Sequence, residues 1–187
     1  MNKIDFSSRP LNQITRENRA VHDDAWIKAM LGRAPYGMLA TCQDGQPFIH
    51  TSLFVYDAVI NAIYIHSALD CRRRTNLEAN PRVCFTVTEM GRLLPGSAAM
   101  DFGVEYSGVV IFGKGVILSN EDEARRGLQM LLDKYFPHLK PGVDYSPIAP
   151  EEIAITSVYR IEIEQWSGKL DQAPANYPGA FEYGKLP

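Results

Sequence analysis

Apolar and polar residues alternate in short runs through the first half of the chain, with helix-like periodicity only in between. "YGMLATCQ" and "QPFIHTSLFVYD" flank Asp44-Gly45, a dipeptide that accepts the positive φ of a tight hairpin turn, so two adjacent antiparallel strands are expected. A third apolar run, "AIYIHSA", ends near Ala68, and a fourth, "RVCFTVTE", starts after the Asn80-Pro81 break. Residues 72–79 between them have helix-compatible composition and room for about two turns. "EYSGVVIFGKGVILS" reads as a long strand whose Gly113 and Gly115 predict a bulge or bend, and "TSVYRIEIEQWSGK" supplies a last strand.

Two further segments have helical spacing. From Asp23, the positions of Ala25, Trp26, Ala29 and Met30 predict a short amphipathic helix ending near Gly32. "SNEDEARRGLQMLLDKYF" gives the clearest helix: Asn120 caps it, Glu123 follows three residues later, and Ala124, Leu128, Leu131, Leu132 and Tyr135 share one face. Residues 90–103, with Pro95 and three glycines, read as an irregular excursion, and residues 137–150 as proline-rich loop. Residues 1–15 form a polar arm, and the tail 171–187 carries Pro174, Pro178 and three aromatics suited to a surface. About six strands in mainly consecutive order with two or three helices favour an antiparallel α+β barrel over a doubly wound parallel sheet.

Composition narrows this picture. With 187 residues, 45% of them hydrophobic and 22% charged, the chain suits a single domain with a core over about residues 20–170. A formal charge of −3 gives no bulk electrostatic reason to expect nucleic-acid binding, although it leaves room for a local anion site. Cys42, Cys71 and Cys84 are odd in number and form no CxxC pair, which argues against a disulfide framework and suits a reducing compartment. No secretory pattern opens the chain and no run of about 20 apolar residues occurs, so a soluble cytoplasmic protein without membrane partner is expected.

The candidate chemistry concentrates in one place. There is no Walker loop, GxSxG or HExxH, the Gly-Lys-Gly at 113–115 lies inside a strand pattern, and the four histidines lack metal-ligand spacing, so no metal site is expected. Arg72, Arg73 and Arg74 open a helix directly after a strand. There the guanidinium groups and the free first-turn N–H groups could converge on one phosphate. On spacing alone a solvated basic turn remains the competing reading. Asn76 lies one turn on, as a ligand contact or a local cap; His66 ends the preceding strand, and Ser67 faces the other way along it. Trp166 is either core or the wall of a planar-ligand site.

Taken together, "GMLATCQDGQPFIHTSLFVYD", "IYIHSALDCRRRTNLEANPRVCF", "YSGVVIFGKGVIL" and "IEIEQWSGK" resemble the pyridoxamine-phosphate-oxidase-like, FMN-binding split-barrel superfamily, most closely its nitroimidazole-resistance branch. The second piece is the most specific: a strand ending His-Ser-Ala, a basic turn, and a helix closing at Asn-Pro-Arg-Val. The resemblance implies a six-stranded antiparallel split β-barrel with flanking helices, forming a homodimer with FMN at the subunit interface. By position it implies that Arg72 and Arg73 hold the FMN phosphate beside Ser67, with Asn76 nearby. It further implies that His50, Thr51, Ser52 and Leu53 run along the flavin, that His66 is a flavin-proximal and candidate catalytic group, and that Trp166 reaches the site across the dimer. Cys71 stands where the superfamily usually has glycine, which strains the turn if a positive φ is needed there.

The activity implied is reduction of a small, nitroaromatic-type acceptor with electrons from NAD(P)H. The alternative is a flavin- or haem-binding protein without turnover, in which His66 or His50 ligates iron. The superfamily also contains users of deazaflavin. The Arg-x-His pattern of true pyridoxamine phosphate oxidases is absent near the C-terminus.

Overall fold

The computed structural model describes residues 7–185. In chain order its elements are β1 (Ala20–Val21), α1 (Asp24–Arg33), β2 (Gly37–Gln43), β3 (Gln46–Ser52), β4 (Val55–Asp57), β5 (Ala62–Ala68) and α2 (Arg72–Ala79), followed by β6 (Arg82–Leu94), β7 (Gly103–Ile117), α3 (Glu121–Tyr135), α4 (Pro150–Ala154), β8 (Thr156–Asp171) and β9 (Phe181–Glu182). All strand pairs are antiparallel, in the order β3-β2-β6-β7-β8-β5-β4, with β1 added to β8 and β9 to β6. The sheet curls without closing, which agrees with the antiparallel α+β architecture read from the alternating runs and with the split barrel that the resemblance implies.

Several local expectations hold for visible reasons. Asp44 and Gly45 both take positive φ, 51° and 78°, and the β2–β3 register runs from Gln43↔Gln46 to Gly37↔Ser52. The Asn120 side chain accepts from the N–H of Glu123 at 2.9 Å to start α3, and Asp23 accepts from Ala25 at 2.8 Å to start α1. Helix α2 spans the expected residues 72–79 and stops at Asn80, because Pro81 disfavours a helical residue before it. Cys71, its N-cap, sits at φ −155°. That is extended backbone open to any residue, so the strain expected of a non-glycine residue there does not arise.

Three differences from the sequence reading stand out. Nine strands form rather than six, because β1 and β9 are two-residue additions with no periodicity to detect and the run after Asp44-Gly45 divides at Leu53-Phe54 into β3 and β4. Strand β6 continues to Leu94, so the irregular excursion shrinks to a connection with one 3-10 turn at Ala99–Asp101. Residues 7–15 of the arm do not stand off: the Asn12 amide donates to the Trp166 carbonyl at 3.4 Å. The first six residues of that arm and the last two of the tail lie outside the described residues.

Two cores explain the patterning. One fills the barrel with Met30, Leu39, Phe54, Ile63, Ile65, Phe85, Ile111, Tyr159 and Ile161; the second lies between the sheet and helices α3 and α4, around Tyr64, Leu131 and Val158. Strand β5 feeds both, which is why "AIYI" is buried without alternation. Its last three residues, His66 to Ala68, are half-buried or exposed.

The β7–β8 ladder shifts register between Phe112 and Gly113, as the glycines predicted. A Cβ at Gly113 would lie 2.0 Å from the Glu162 carbonyl oxygen, whereas one at Gly32 in α1 meets nothing within 4 Å. Gly113→Ala is therefore expected to destabilise the fold by about 3 kcal/mol, and Gly32→Ala to stabilise it by about 0.5–1 kcal/mol; urea unfolding of the two variants reads both signs.

A clamp holds the tail. Arg92 on β6 donates to Glu105 on β7 at 2.6 and 2.9 Å and to the carbonyls of Ala173, Pro174 and Ala175, while Glu105 accepts the Ala173 N–H at 2.9 Å. The hydrogen bond from Arg92, outweighing the opposing desolvation, lowers the Glu105 pKa to about 2. A carboxyl depressed on folding stabilises above its unfolded value and loses that contribution as pH falls through the folded one. Amide exchange at residues 172–176 should thus stay slow down to about pH 4 and rise as pH approaches about 2; in Glu105→Gln it should be fast throughout.

Candidate functional site

The sheet edge and the start of α2 face one another. On β3 the side chains of Phe48, His50 and Ser52 share a face with Leu39 and Thr41 of β2, and α2 lies over that face. Among the described residues, the edge of β3 away from β2 has no neighbouring strand.

Arg73 is the centre of the arrangement. Its Nη2 donates to Ser52 Oγ at 2.5 Å, its Nη1 donates to the His66 carbonyl at 2.9 Å, and the guanidinium carbon sits 5.8 Å from the centroid of the Tyr159 ring. The residue is 7% exposed, its Nε has no hydrogen-bond partner, and among the described residues no carboxylate pairs with it. Burial, ahead of any other influence, lowers its pKa. A buried cation without an anion is expensive.

The other two arginines point elsewhere, so the expected convergence of three guanidinium groups on one point does not occur. Arg72 is exposed, with its guanidinium 5.0 Å from the centroid of the Phe48 ring on β3. Arg74 donates to Glu78 at 2.9 Å and to Ser157 Oγ on β8 at 3.0 Å, which moors the helix to the sheet. An α-helix turns about 100° per residue, and three consecutive side chains must diverge.

A cluster of hydroxyl and thiol groups fills the angle between β5 and α2. Ser67 Oγ lies 2.8 Å from Tyr159 Oη and 3.1 Å from Cys71 Sγ, with Tyr159 Oη 3.5 Å from the same sulfur. Burial opposes ionisation of the Cys71 thiol. The Ser67 and Tyr159 hydroxyls and the N–H groups of Arg74 and Arg73 outweigh it, so its pKa falls below the ordinary value. Beneath the helix, fully buried Asn76 donates from Nδ2 to Thr41 Oγ1 at 2.8 Å, and Thr41 Oγ1 lies 3.3 Å from His50 Nε2. Asn76 Oδ1 has no partner. Desolvation first and the Arg73 charge second lower the pKa of both His50 and His66.

Next to this polar groove lies a crevice of about 220 Å³ lined by Leu53, His66, Leu128, Leu132, Phe136 and Ile148 among others. His66 is thus placed between the arginine turn and an apolar cavity, an arrangement common in small-molecule sites.

The structure therefore groups His50, Ser52, His66, Ser67, Arg72, Arg73 and Asn76, with Thr51 and Leu53 on the adjoining exposed backbone. Trp166 is not among them: its Nε1 donates to Asp24 on α1 at 2.9 Å, and it lies nine residues along β8 from Ser157, about 30 Å of strand. Thr41 and Tyr159 belong to the site and went unrecognised. The only signal for them was a polar atom at an inward position of an apolar alternation, which must find a partner when buried.

A curled, open antiparallel sheet with a cationic helix start beside its edge strand defines a split-barrel protein. Residues 23–170 match the family described as pyridoxamine 5'-phosphate oxidase, and the chain belongs to that family. No curated protein matches it. Its fold is similar to that of the flavocytochrome Anf3 from Azotobacter vinelandii, with TM-score 0.76, 22% identity, 94% of this chain and 86% of that one covered. It is also similar to an FAD and haem binding protein from Mycobacterium smegmatis (TM-score 0.75, 18% identity, 83% and 74% covered). A third likeness is to a candidate 5-nitroimidazole antibiotic resistance protein from Bacteroides thetaiotaomicron (TM-score 0.66, 20% identity, 81% and 86% covered).

The thiol environments differ sharply. Cys84 is pushed up by burial while Cys71 is lowered, so at neutral pH iodoacetamide should label Cys71 well before Cys84, as followed by mass spectrometry. Ser67→Ala and Tyr159→Phe should each slow that labelling.

Proposed function

We propose that the chain binds FMN in the groove between α2 and β3 and works as an oxidoreductase. It would pass electrons from a nicotinamide donor to a small acceptor of the nitroaromatic type. The observation that carries this reading is Arg73: a buried guanidinium with an unpartnered Nε and no carboxylate, at a helix start whose first-turn N–H groups also favour an anion. A phosphate monoester supplies the missing charge. The residues present fit such a group, since the unpartnered Arg73 Nε and the exposed Arg72 guanidinium can donate to it and the edge of β3 from His50 to Leu53 offers backbone groups to a planar ring.

When bound, the flavin supplies reversible two-electron chemistry, and the chain supplies placement and shielding. Arg73 ties Ser52 and the His66 carbonyl together, so the anion seat and the edge strand hold a fixed spacing. The mainly apolar crevice beside His66, with Glu152 also in its lining, is a seat for the acceptor that suits an aromatic ring. His66 is at its wall, where a neutral imidazole can donate a hydrogen bond to a bound acceptor or take up a proton. The homodimer implied by the sequence resemblance extends this reading: the outward face of β3 carries Ile49, 72% exposed, and Leu53 beside it, apolar surface suited to a second subunit. Trp166 then joins the site only from that second subunit.

A second reading rests on the same crevice. Its apolar lining and the His66 imidazole suit a haem, and two of the structures with similar folds are described as a flavocytochrome and as an FAD and haem binding protein.

The visible spectrum of the isolated protein, followed by titration with FMN and FAD, tests both. Loss of one charged phosphate contact costs about 1.5–3 kcal/mol, so Arg72→Ala should weaken FMN binding by about 10- to 100-fold with the far-UV spectrum unchanged, and NADH oxidation with a nitroaromatic acceptor should fall with it. A protein that takes up neither flavin overturns the first reading. A Soret band lost in His66→Ala selects the second.

A further inference from the structure

Three side chains from three elements form a chain of contacts that ends on the groove: Asn76 of α2, Thr41 of β2 and His50 of β3. We propose that Asn76 and Thr41 lock His50 as a neutral imidazole carrying its proton on Nδ1, making it a fixed hydrogen-bond donor on the cofactor face of β3. The inference deepens the flavin reading, because it says which ring edge the groove selects.

The direction of each bond follows from what is buried. Asn76 Nδ2 donates to Thr41 Oγ1 at 2.8 Å, so the oxygen is already an acceptor. Thr41 is 2% exposed, and with Asn76 donating to its oxygen the partner left to its own O–H among the contacts of the described residues is His50 Nε2, at 3.3 Å. Were Nε2 protonated, two donors would point at Thr41 Oγ1 and its hydroxyl proton would be buried without an acceptor, an arrangement that folded proteins avoid. The unprotonated nitrogen is therefore Nε2, and the proton of the neutral ring is on Nδ1. The groups that face the ring add no reason to charge it: Thr41 from β2 is neutral, Asn76 from α2 is neutral, and Arg73 from α2 is a cation that disfavours a second one. Nδ1 itself makes no hydrogen bond among the described residues, and the ring is half-buried at the groove.

A donor that cannot become an acceptor discriminates. A ligand edge presenting a carbonyl oxygen or an aza nitrogen is paired by Nδ1–H, whereas an N–H edge in the same place leaves two donors opposed. His50 is in this sense a specificity residue, and Thr41 and Asn76 are positioning residues acting through it.

Nitrogen-15 labelling of the histidines in the full chain, with long-range proton–nitrogen correlation, reads the tautomer directly; the His50 signals are those missing in His50→Gln. In the free protein the expected result is a protonated Nδ1 and a bare Nε2. Thr41→Val, which keeps the side-chain shape, should mix the tautomers and raise the His50 pKa, and Thr41→Ser should restore the locked form. A protonated Nε2 in the unmodified protein, or a Thr41→Val spectrum identical to it, overturns the lock. Added FMN should shift the Nδ1 proton signal downfield. FMN that binds without moving that signal overturns the donor role while leaving the flavin reading intact. FMN that does not bind overturns the flavin reading, while the tautomer result in the free protein still decides the lock.

Discussion

The arrangement depends on one buried positive charge. Arg73 holds Ser52 of β3 and the His66 carbonyl of β5 with two of its nitrogens; β3 is one end of the sheet path and β5 stands next to the other end, β4. A curled sheet that does not close has to fix the gap between its ends by something other than a ladder of backbone bonds. Here the fixing group is a side chain from the helix that bridges the gap. The desolvation of that guanidinium is a standing cost, and it is met by neutral acceptors and the Tyr159 ring instead of a carboxylate. A carboxylate would have closed the site electrostatically. Neutral partners leave it open to an anion from outside.

The elements around this charge are ordinary and their boundaries are set locally. Alternation placed β2 and β3, the Asp44-Gly45 turn joined them, and Pro81 ended α2, so these were readable from a few residues each. What was not readable was direction. Three adjacent arginines look like one cluster in a string of letters, but on a helix they part company: one reaches Phe48, one goes inward, and one moors the helix to Ser157. Thr41 and Tyr159 were hidden for the opposite reason, because each sits in an apolar run and reveals its role only through the polar atom it meets across the barrel. Trp166 lies far along β8 from the arginine turn of its own chain, so its expected role depends on a second subunit, which one chain does not display.

Family membership and similar folds at about one-fifth identity are compatible with this division of labour. The split barrel sets the strands and the helix start, while the chemistry rests on particular side chains, such as those lining the crevice beside His66 and those under α2. The surroundings of Cys71 illustrate the tolerance: an extended cap residue accepts a side chain, and the thiol then becomes part of the polar lining instead of an obstacle to it.

Among the described residues the outer edge of β3 pairs with no strand, which has a further consequence for a newly made chain. A row of unpaired backbone N–H and C=O groups next to exposed Ile49 is a template for any other extended segment. Pro47 near one end of the strand removes one donor and shortens that template without abolishing it. A newly made chain lacking whatever covers this edge is therefore a candidate for strand-to-strand misassembly, and the supply of its cover becomes a matter of proteostasis as well as of chemistry.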